Sequence, residues 1–456
     1  MTQDRPAKPE NAAPPARLTV GSTMRHVVEM TFAGSVGLVA IFLVDFLSLF
    51  YVSLLRDEKL TAGIGYASTV LFLVISVNVG LMIASSALVA RALGSGNRDL
   101  ARRTATAGAL FCSILAAVFS IVMLAVMPAI LDFLGATGVS REVATRFLWI
   151  TLPANLFMAF GMVLSSTLRA AGDARRAMMV TLMGGVATAF LDPLFIFGFK
   201  MGTDGAALAT VISRLIFCWV GWRGVVTHHD LMARPALADI QRTIAPLLGI
   251  AIPAVLTNIA TPVANGFILS VVKQFGDEAV AANTIIDRLV PLAFGVLFAL
   301  TGAVGPILAQ NLGARRYDRV RQAMRDSLLF AVVYCLIMWA VLALGRHSIA
   351  GIFGASARTA EFVGYFCLYG AVAWVFIGLL FVANTAFNNL GFPIYSTLFN
   401  WGRATLGTMP LVVLGAQMGG YQGVLVAIII GAAVFGIAGV IVAFRAIRTL
   451  EARAQG

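Results

Sequence analysis

The sequence predicts an all-α integral membrane protein: twelve transmembrane helices in two six-helix lobes related by a parallel internal repeat. Three observations carry that expectation. First, the 456-residue chain is 59% hydrophobic and 12% charged, with a mean hydropathy of +0.90. A soluble domain is typically about a quarter charged, so the apolar excess must face lipid. Second, apolar stretches of about 20 residues, the length that crosses a bilayer, recur twelve times. Third, the second half of the chain echoes the first at a nearly constant offset.

In chain order the spans fall near 31–55, 63–91, 105–131, 143–168, 178–199, 204–224, 245–274, 280–310, 325–350, 359–388, 394–416 and 421–445. The head is rich in Pro and polar residues and has no apolar core. Residues 1–25 are therefore expected to form a disordered cytoplasmic tail and not a cleaved signal peptide. Residues 26–225 then make the N-terminal lobe, 226–243 a basic cytoplasmic linker, and 244–456 the C-terminal lobe with a short cytoplasmic tail.

The formal charge of +12 would suggest nucleic acid in a soluble protein. Here its distribution argues otherwise. With a cytoplasmic N-terminus, 23 of the 33 Lys and Arg fall on the inner side, Arg403 among them, and 8 on the outer side. By the positive-inside rule both termini are cytoplasmic, as expected of a multi-pass protein of the cell (inner) membrane. No nucleic-acid partner is needed. Cys112, Cys218, Cys335 and Cys367 stand singly in apolar stretches, which suggests neither a metal site nor a disulfide framework. His228 and His229 are neighbours in the linker and read as solvated loop residues.

The repeat is the most informative feature. ARALGSGNRDLAR (90–102) lies over AQNLGARRYDRVR (309–321) at an offset of 219, aligning Ala90/Ala309, Leu93/Leu312, Gly94/Gly313, Asp99/Asp318 and Arg102/Arg321. Gly172 meets Gly391 at the same offset. Pro193, Gly198, Met201 and Gly202 meet Pro410, Gly415, Met418 and Gly419 at 217, and Gly205 meets Gly423 at 218. Because six is even, the halves are parallel, an arrangement suited to alternating access about a central site.

Acidic residues deep in a span cost about 2.5–3.5 kcal/mol each on insertion scales and are functional candidates. Two qualify, Asp45 in span 1 and Asp192 in span 5. Each lies roughly 21 Å from the cytoplasmic end of its span at 1.5 Å per residue, so they share a depth. Two carboxylates out of water can share a proton, since desolvation and like charge both disfavour a second negative charge. Pro193 frees the Ala189 carbonyl for another partner. Thr188 and Thr210 can join the same network, although either can bond its own helix backbone instead. Arg214 in span 6 is the rival explanation, a structural ion-pair partner for Asp192. Candidate substrate contacts are Asp45, Asp192, Asn155, Phe46, Phe157 and Met158; packing is the plainer role for any single apolar one. A nucleophile–base cluster or metal set is missing from the sequence, so an enzyme is not expected.

The stretch STLRAAGDARRAMMVTLMGGVATAFLDPLFIFGFKMGTDGAALATVIS (166–213) resembles the span 4–6 signature of the multidrug and toxic compound extrusion (MATE) family. The LG-containing repeated loops and Val44–Asp45 agree, and the resemblance covers the chain past residue 25. It implies two six-helix lobes around a cleft, exporting amphipathic, often cationic compounds against inward H+ or Na+. Embedded acids confined to the N-lobe resemble the DinF-like branch, where the aspartates matching Asp45 and Asp192 and the threonine matching Thr210 are implicated in coupling. The sequence departs from the family at Thr188, where Asn is usual. It also has Gly34 in place of an early span 1 proline, at the repeat-equivalent of Pro253. The C-lobe acids of the Na+-coupled branch are missing, which favours protons. The expectation is a monomeric antiporter in the lipid bilayer, without cofactor or metal, exporting small organic molecules. A lipid-linked oligosaccharide flippase is the alternative, although its usual extra spans and basic cleft are not seen.

Overall fold

The computed structural model describes residues 16–55 and 57–455; the side chains of Asp45, Leu49, Ser53 and Glu58 lie outside the described residues. In lipid only hydrogen-bonded helices or closed barrels satisfy the backbone, and the chain uses helices. Polar side chains mark where they begin. Ser22 caps α1 (Thr23–Ser53), Asp57 caps α2 (Glu58–Gly94) and Asn97 caps α3 (Arg98–Phe133), each accepting from a first-turn backbone N–H. The fourth span is broken into α4 (Gly138–Thr151) and α5 (Asn155–Ala170), bent by 55° across Leu152–Pro153–Ala154. α6 (Ala174–Pro193) and α7 (Gly202–Arg223) complete the first lobe, each running on into a π-helical turn, Leu194–Gly198 and Gly224–His228.

The second lobe repeats the plan. α8 (Leu237–Val272), α9 (Asp277–Gly313) and α10 (Tyr317–Ile352) are followed by α11 (Ala357–Leu368) and α12 (Ala373–Leu390), which form one interrupted span. The bounds of α2 and α3 shifted by 219 are those of α9 and α10. α13 (Pro393–Ala404) continues through a turn into α14 (Met409–Gln455). α14 is not one straight helix. Gly419 and Gly420 leave helical geometry, with Gly420 at φ +59, a conformation glycine tolerates best. The chain then folds back, so that Gly415 lies against Gly423 and Gly407 against Gly431. That hairpin turns the last apolar stretch into two spans, and the count among the described residues is twelve.

Ala16 and Gln455, the ends of the described chain, therefore share one end of the molecule, here the proximal end. Contacts between the lobes concentrate there. Gly34 packs on Ala299, Gly80 on Ala251 and Val255, and Gly108 lies near Leu247. The tightest crossing joins α2 to α9. A Cβ on Gly94 would sit 2.0 Å from the Gln310 carbonyl oxygen, and one on Gly313 would sit 2.2 Å from the Arg91 carbonyl oxygen. Arg91 and Gln310 are themselves repeat-equivalent, and each reaches into the opposite lobe. Arg91 donates to the Asn389 carbonyl from Nε at 3.0 Å and Nη2 at 2.7 Å, and Gln310 Nε2 donates to the Ala170 carbonyl at 2.5 Å. Ala170 and Asn389 are again 219 apart. The result is a reciprocal clasp across the pseudo-two-fold axis.

Four sequence expectations change. The tail assigned to residues 1–25 is ordered from residue 16; residues 1–15 lie outside the described residues. A 3-10 turn, Arg17–Thr19, wedges into the proximal seam with Leu18 1% exposed. The Leu18 N–H donates to Gln310 Oε1 at 2.9 Å, and Asn311 Nδ2 donates to the Leu18 carbonyl at 3.1 Å. With one apolar anchor and its backbone satisfied, the segment is held. The linker is also shorter than 226–243, because α7 extends to His228 and α8 begins at Leu237. It is bound and not free: Leu231 is buried, Arg102 Nε donates to the Met232 carbonyl, and the Ala233 N–H donates to Thr106. His229, read as solvated, contacts Asp173 at 2.8 Å. Finally, Arg403 is no loop charge. It is buried inside the C-lobe, where Nη2 donates to Thr261 Oγ1 at 3.2 Å.

Candidate functional site

The embedded acid of span 5 sits where three helices of the first lobe meet. α1 and α6 run side by side, with Gly37 against Thr181 and Gly185 against Val44. That register brings the next turn of α1 to the end of α6, and Ser48 Oγ donates to Asp192 Oδ2. Asp192 is 1% exposed. Pro193 closes α6, and the π-helical turn that follows widens the backbone where the carboxyl sits. One turn earlier, the Thr188 hydroxyl lies 2.6 Å from Ser213 Oγ on α7 and 3.2 Å from its own Gly184 carbonyl. Asp192–Ser48 and Thr188–Ser213 thus tie α6 to both neighbours.

The other sequence candidates fall into distinct places. The Asp45 side chain lies outside the described residues; its backbone is in α1, three residues before Ser48. Thr210 donates to the Ala206 carbonyl of its own helix at 2.9 Å and does not reach Asp192. Arg214 does not pair with Asp192. Its Nη1 donates to the Thr151 carbonyl at 2.6 Å, and among the described residues it makes no ion pair. The break between α4 and α5 explains this. The Asn155 N–H turns to the Leu152 carbonyl, leaving the Thr151 carbonyl without its usual helical donor, and the buried guanidinium supplies one.

Asn155 is 1% exposed. It accepts from Asn78 Nδ2 at 2.7 Å and contacts the Ala116 carbonyl, so it ties α5 to α2 and α3 inside the lobe and does not face an open cleft. Phe46 is exposed and stacks with Phe50 at 6.5 Å. Phe157 and Met158 are half-buried in the first turn of α5, with Met158 packed against the cluster of Met162, Leu164 and Leu168. Among the described residues no group of His, Cys, Asp and Glu could hold a metal.

Sequence reasoning missed Ser48, Ser213 and the Arg91/Gln310 clasp. Ser48 carried a signal, since it stands three residues beyond Asp45. Ser213, next to Arg214, carried none. Arg91 and Gln310 were aligned by the repeat, but matching identities passes over a position where two different side chains make the same contact.

Two parallel six-span lobes, apposed at one end and holding a buried carboxyl in one of them, define a multi-pass membrane transporter. The chain belongs to the MatE family, whose model matches residues 35–194 and 253–414. It is similar to a FAD transporter of Shewanella oneidensis, 28% identical over 410 residues, covering 88% of this chain and 90% of that protein. The multidrug export protein MepA of Staphylococcus aureus is 23% identical over 382 residues, 81% of this chain and 80% of its own. In fold it matches the bent form of the Vibrio cholerae MATE transporter VcmN with a TM-score of 0.90 at 22% identity, covering 94% of this chain and 98% of the other.

Proposed function

We propose that the protein is a secondary antiporter of the inner membrane that exports amphipathic organic cations in exchange for H+, with Na+ as the alternative ion. The observation that carries this is Asp192. Its carboxyl is buried in a membrane helix, accepts one hydroxyl, and meets no cation among the described residues. A carboxylate so placed is costly to keep charged and unoccupied, which suits a group that takes a proton and releases it in each cycle.

On the positive-inside reading the proximal end is cytoplasmic. The clasp then closes the cytoplasmic side, and the lobes part toward the outside. In the cycle we infer, protonation of Asp192, with Asp45 on the neighbouring helix, releases the bound cation outward. Opening of the proximal seam returns the site to the cytoplasm, where the proton leaves and the next cation binds. Ser48 and Thr188 orient the groups and hold α6 against α1 and α7.

A second reading has one observation in its favour. Arg169, at the end of α5, contacts Ser165 and Met82 and lies beside Gly302 of the other lobe, with no carboxylate partner among the described residues. An unpaired cation between the lobes suits an anionic substrate, and one similar protein is named for FAD. Everted vesicles loaded by a pH gradient separate the two readings, with a fluorescent organic cation in one arm and FAD in the other. Proton-driven transport of the cation, lost in Asp192→Asn and Asp45→Asn, is expected. Full activity in both variants overturns the coupling role; transport of FAD alone, abolished by Arg169→Gln, overturns the substrate class.

A further inference from the structure

The proximal ends of α3 and α10 are repeat-equivalent, yet the two lobes cover them differently. In the first lobe the chain leaves α7 after His228 and lays the linker over α3. Arg102 holds the Met232 carbonyl and Thr106 holds Ala233. In the second lobe the corresponding helix runs straight on to Gln455. Arg321, the equivalent of Arg102, donates from Nη2 to both carboxylate oxygens of Glu451, at 2.7 and 2.8 Å. The head of the chain meets α10 on another face, where Arg316 and Arg319 donate to the Thr19 and Gly21 carbonyls and Asp326 accepts from Thr23, and Arg325 is left exposed.

A cavity of about 470 Å³ remains, lined by Arg325, Val440, Ile441, Phe444, Arg445 and Arg448. Thr106 is the equivalent of Arg325, so the covered face carries a hydroxyl and the open face a guanidinium. Arg325, Arg445 and Arg448 are exposed, and among the described residues none makes an ion pair: Glu451 is taken by Arg321, and Asp326 is buried and accepts from Thr23 and Gln322. The cavity also lies at the edge of the apolar belt. On α10 the exposed side chains beyond Arg325 include Leu329, Val333, Leu336, Ile337 and Val341, and on α14 the exposed run Ile430, Val434, Ile437 and Ile441 ends at Arg445.

We propose that this cavity is a binding site for one anionic phospholipid of the proximal leaflet. The phosphate sits among Arg325, Arg445 and Arg448, and the acyl chain lies along Val440, Ile441 and Phe444. Clusters of guanidinium groups favour phosphate oxygens, and basic pockets between helices at the membrane edge suit anionic headgroups. The lipid does for the second lobe what the linker does for the first.

The test is native mass spectrometry of the purified full chain in detergent, titrated with dioleoyl-phosphatidylglycerol or dioleoyl-phosphatidylcholine. The wild type is expected to retain one phosphatidylglycerol, preferred on the order of a hundredfold, as three basic contacts near a headgroup allow. R325Q/R445Q/R448Q should lose that preference while keeping its unfolding temperature. R234Q/R242Q/R315Q, with the same change of charge elsewhere, should keep it. Single Arg445→Gln should lie between, so a poorly folded triple variant still leaves a readout. Equal retention of both lipids by the wild type, loss of preference in the control triple, or retained preference in R325Q/R445Q/R448Q overturns the site. Displacement of the lipid by inorganic phosphate at millimolar concentration identifies a small-anion site and overturns the lipid.

Discussion

Gly94→Ala should loosen the proximal seam. The added methyl would stand 2.0 Å from the Gln310 carbonyl oxygen, whereas ordinary contact begins at 3.4 Å, so α2 and α9 must part by about 1.4 Å. Backbone lies on both sides of the contact, and no flexible side chain can yield. The same displacement stretches the Gln310–Ala170 bond from 2.5 Å and the Arg91–Asn389 bond from 2.7 Å beyond the range of a hydrogen bond. One of these involves a charged donor, worth about 1.5–3 kcal/mol, and the other is neutral, worth about 1 kcal/mol. A loss of roughly 3 kcal/mol shifts the balance between the apposed and parted states by about a hundredfold. Pulsed EPR between nitroxides at Asp99→Cys and Asp318→Cys, in a Cys218→Ser background with the three buried cysteines retained, reads the separation directly. Gly94→Ala should move the distance distribution outward. Gly249→Ala, whose methyl meets open space, should not. An unchanged distribution in Gly94→Ala would refute the reasoning that this crossing holds the seam.

Two further outcomes follow from polar contacts. Arg214→Met leaves the Thr151 carbonyl buried without a donor and should cost about 1–3 kcal/mol, seen as a lower unfolding temperature in detergent. The pH profile of transport should not move; a shift would reinstate a pair with Asp192. At Asp173, burial raises the carboxyl, but hydrogen bonds from His229 and Arg176 outweigh it and hold the group at about 2, below the ordinary 3.8. A depressed carboxylate stabilises the fold above its unfolded value and loses that contribution as pH falls through its folded one. The gap in unfolding temperature between wild type and Asp173→Asn should therefore be full at pH 6 and shrink between about pH 4 and pH 2. A gap independent of pH would show that Asp173 acts through shape and not charge.

Much of this architecture was legible because lipid imposes few solutions. Span length and the 219-residue offset both survive into the helices, and Gly94/Gly313 and Gly172/Gly391 recur at equivalent structural positions. The N-lobe carboxyl was legible for the same reason, since an acid in a membrane helix is conspicuous. Partners were harder. Whether Arg214 turns toward Asp192 or toward Thr151 depends on a break around Pro153, some sixty residues away, that frees one carbonyl. Thr188 and Thr210 look alike in sequence, yet only Thr188 faces a hydroxyl on the next helix. The head misled because composition describes a segment on its own, while Leu18 is ordered by a seam made from residues some 290 positions later.

The clasp has the form of an isologous dimer contact held within one chain: residue i of one half meets residue j of the other, and j meets i. Arg91 and Gln310 do the same work at equivalent positions, as do the carbonyls of Asn389 and Ala170. A six-span half on its own thus carries a self-complementary face that would seat a second copy in parallel. Joining the halves in one polypeptide frees the two sides of that face to diverge, arginine on one and glutamine on the other. The divergence gives Gln310 a second task that Arg91 cannot share, receiving the head of the chain at Leu18.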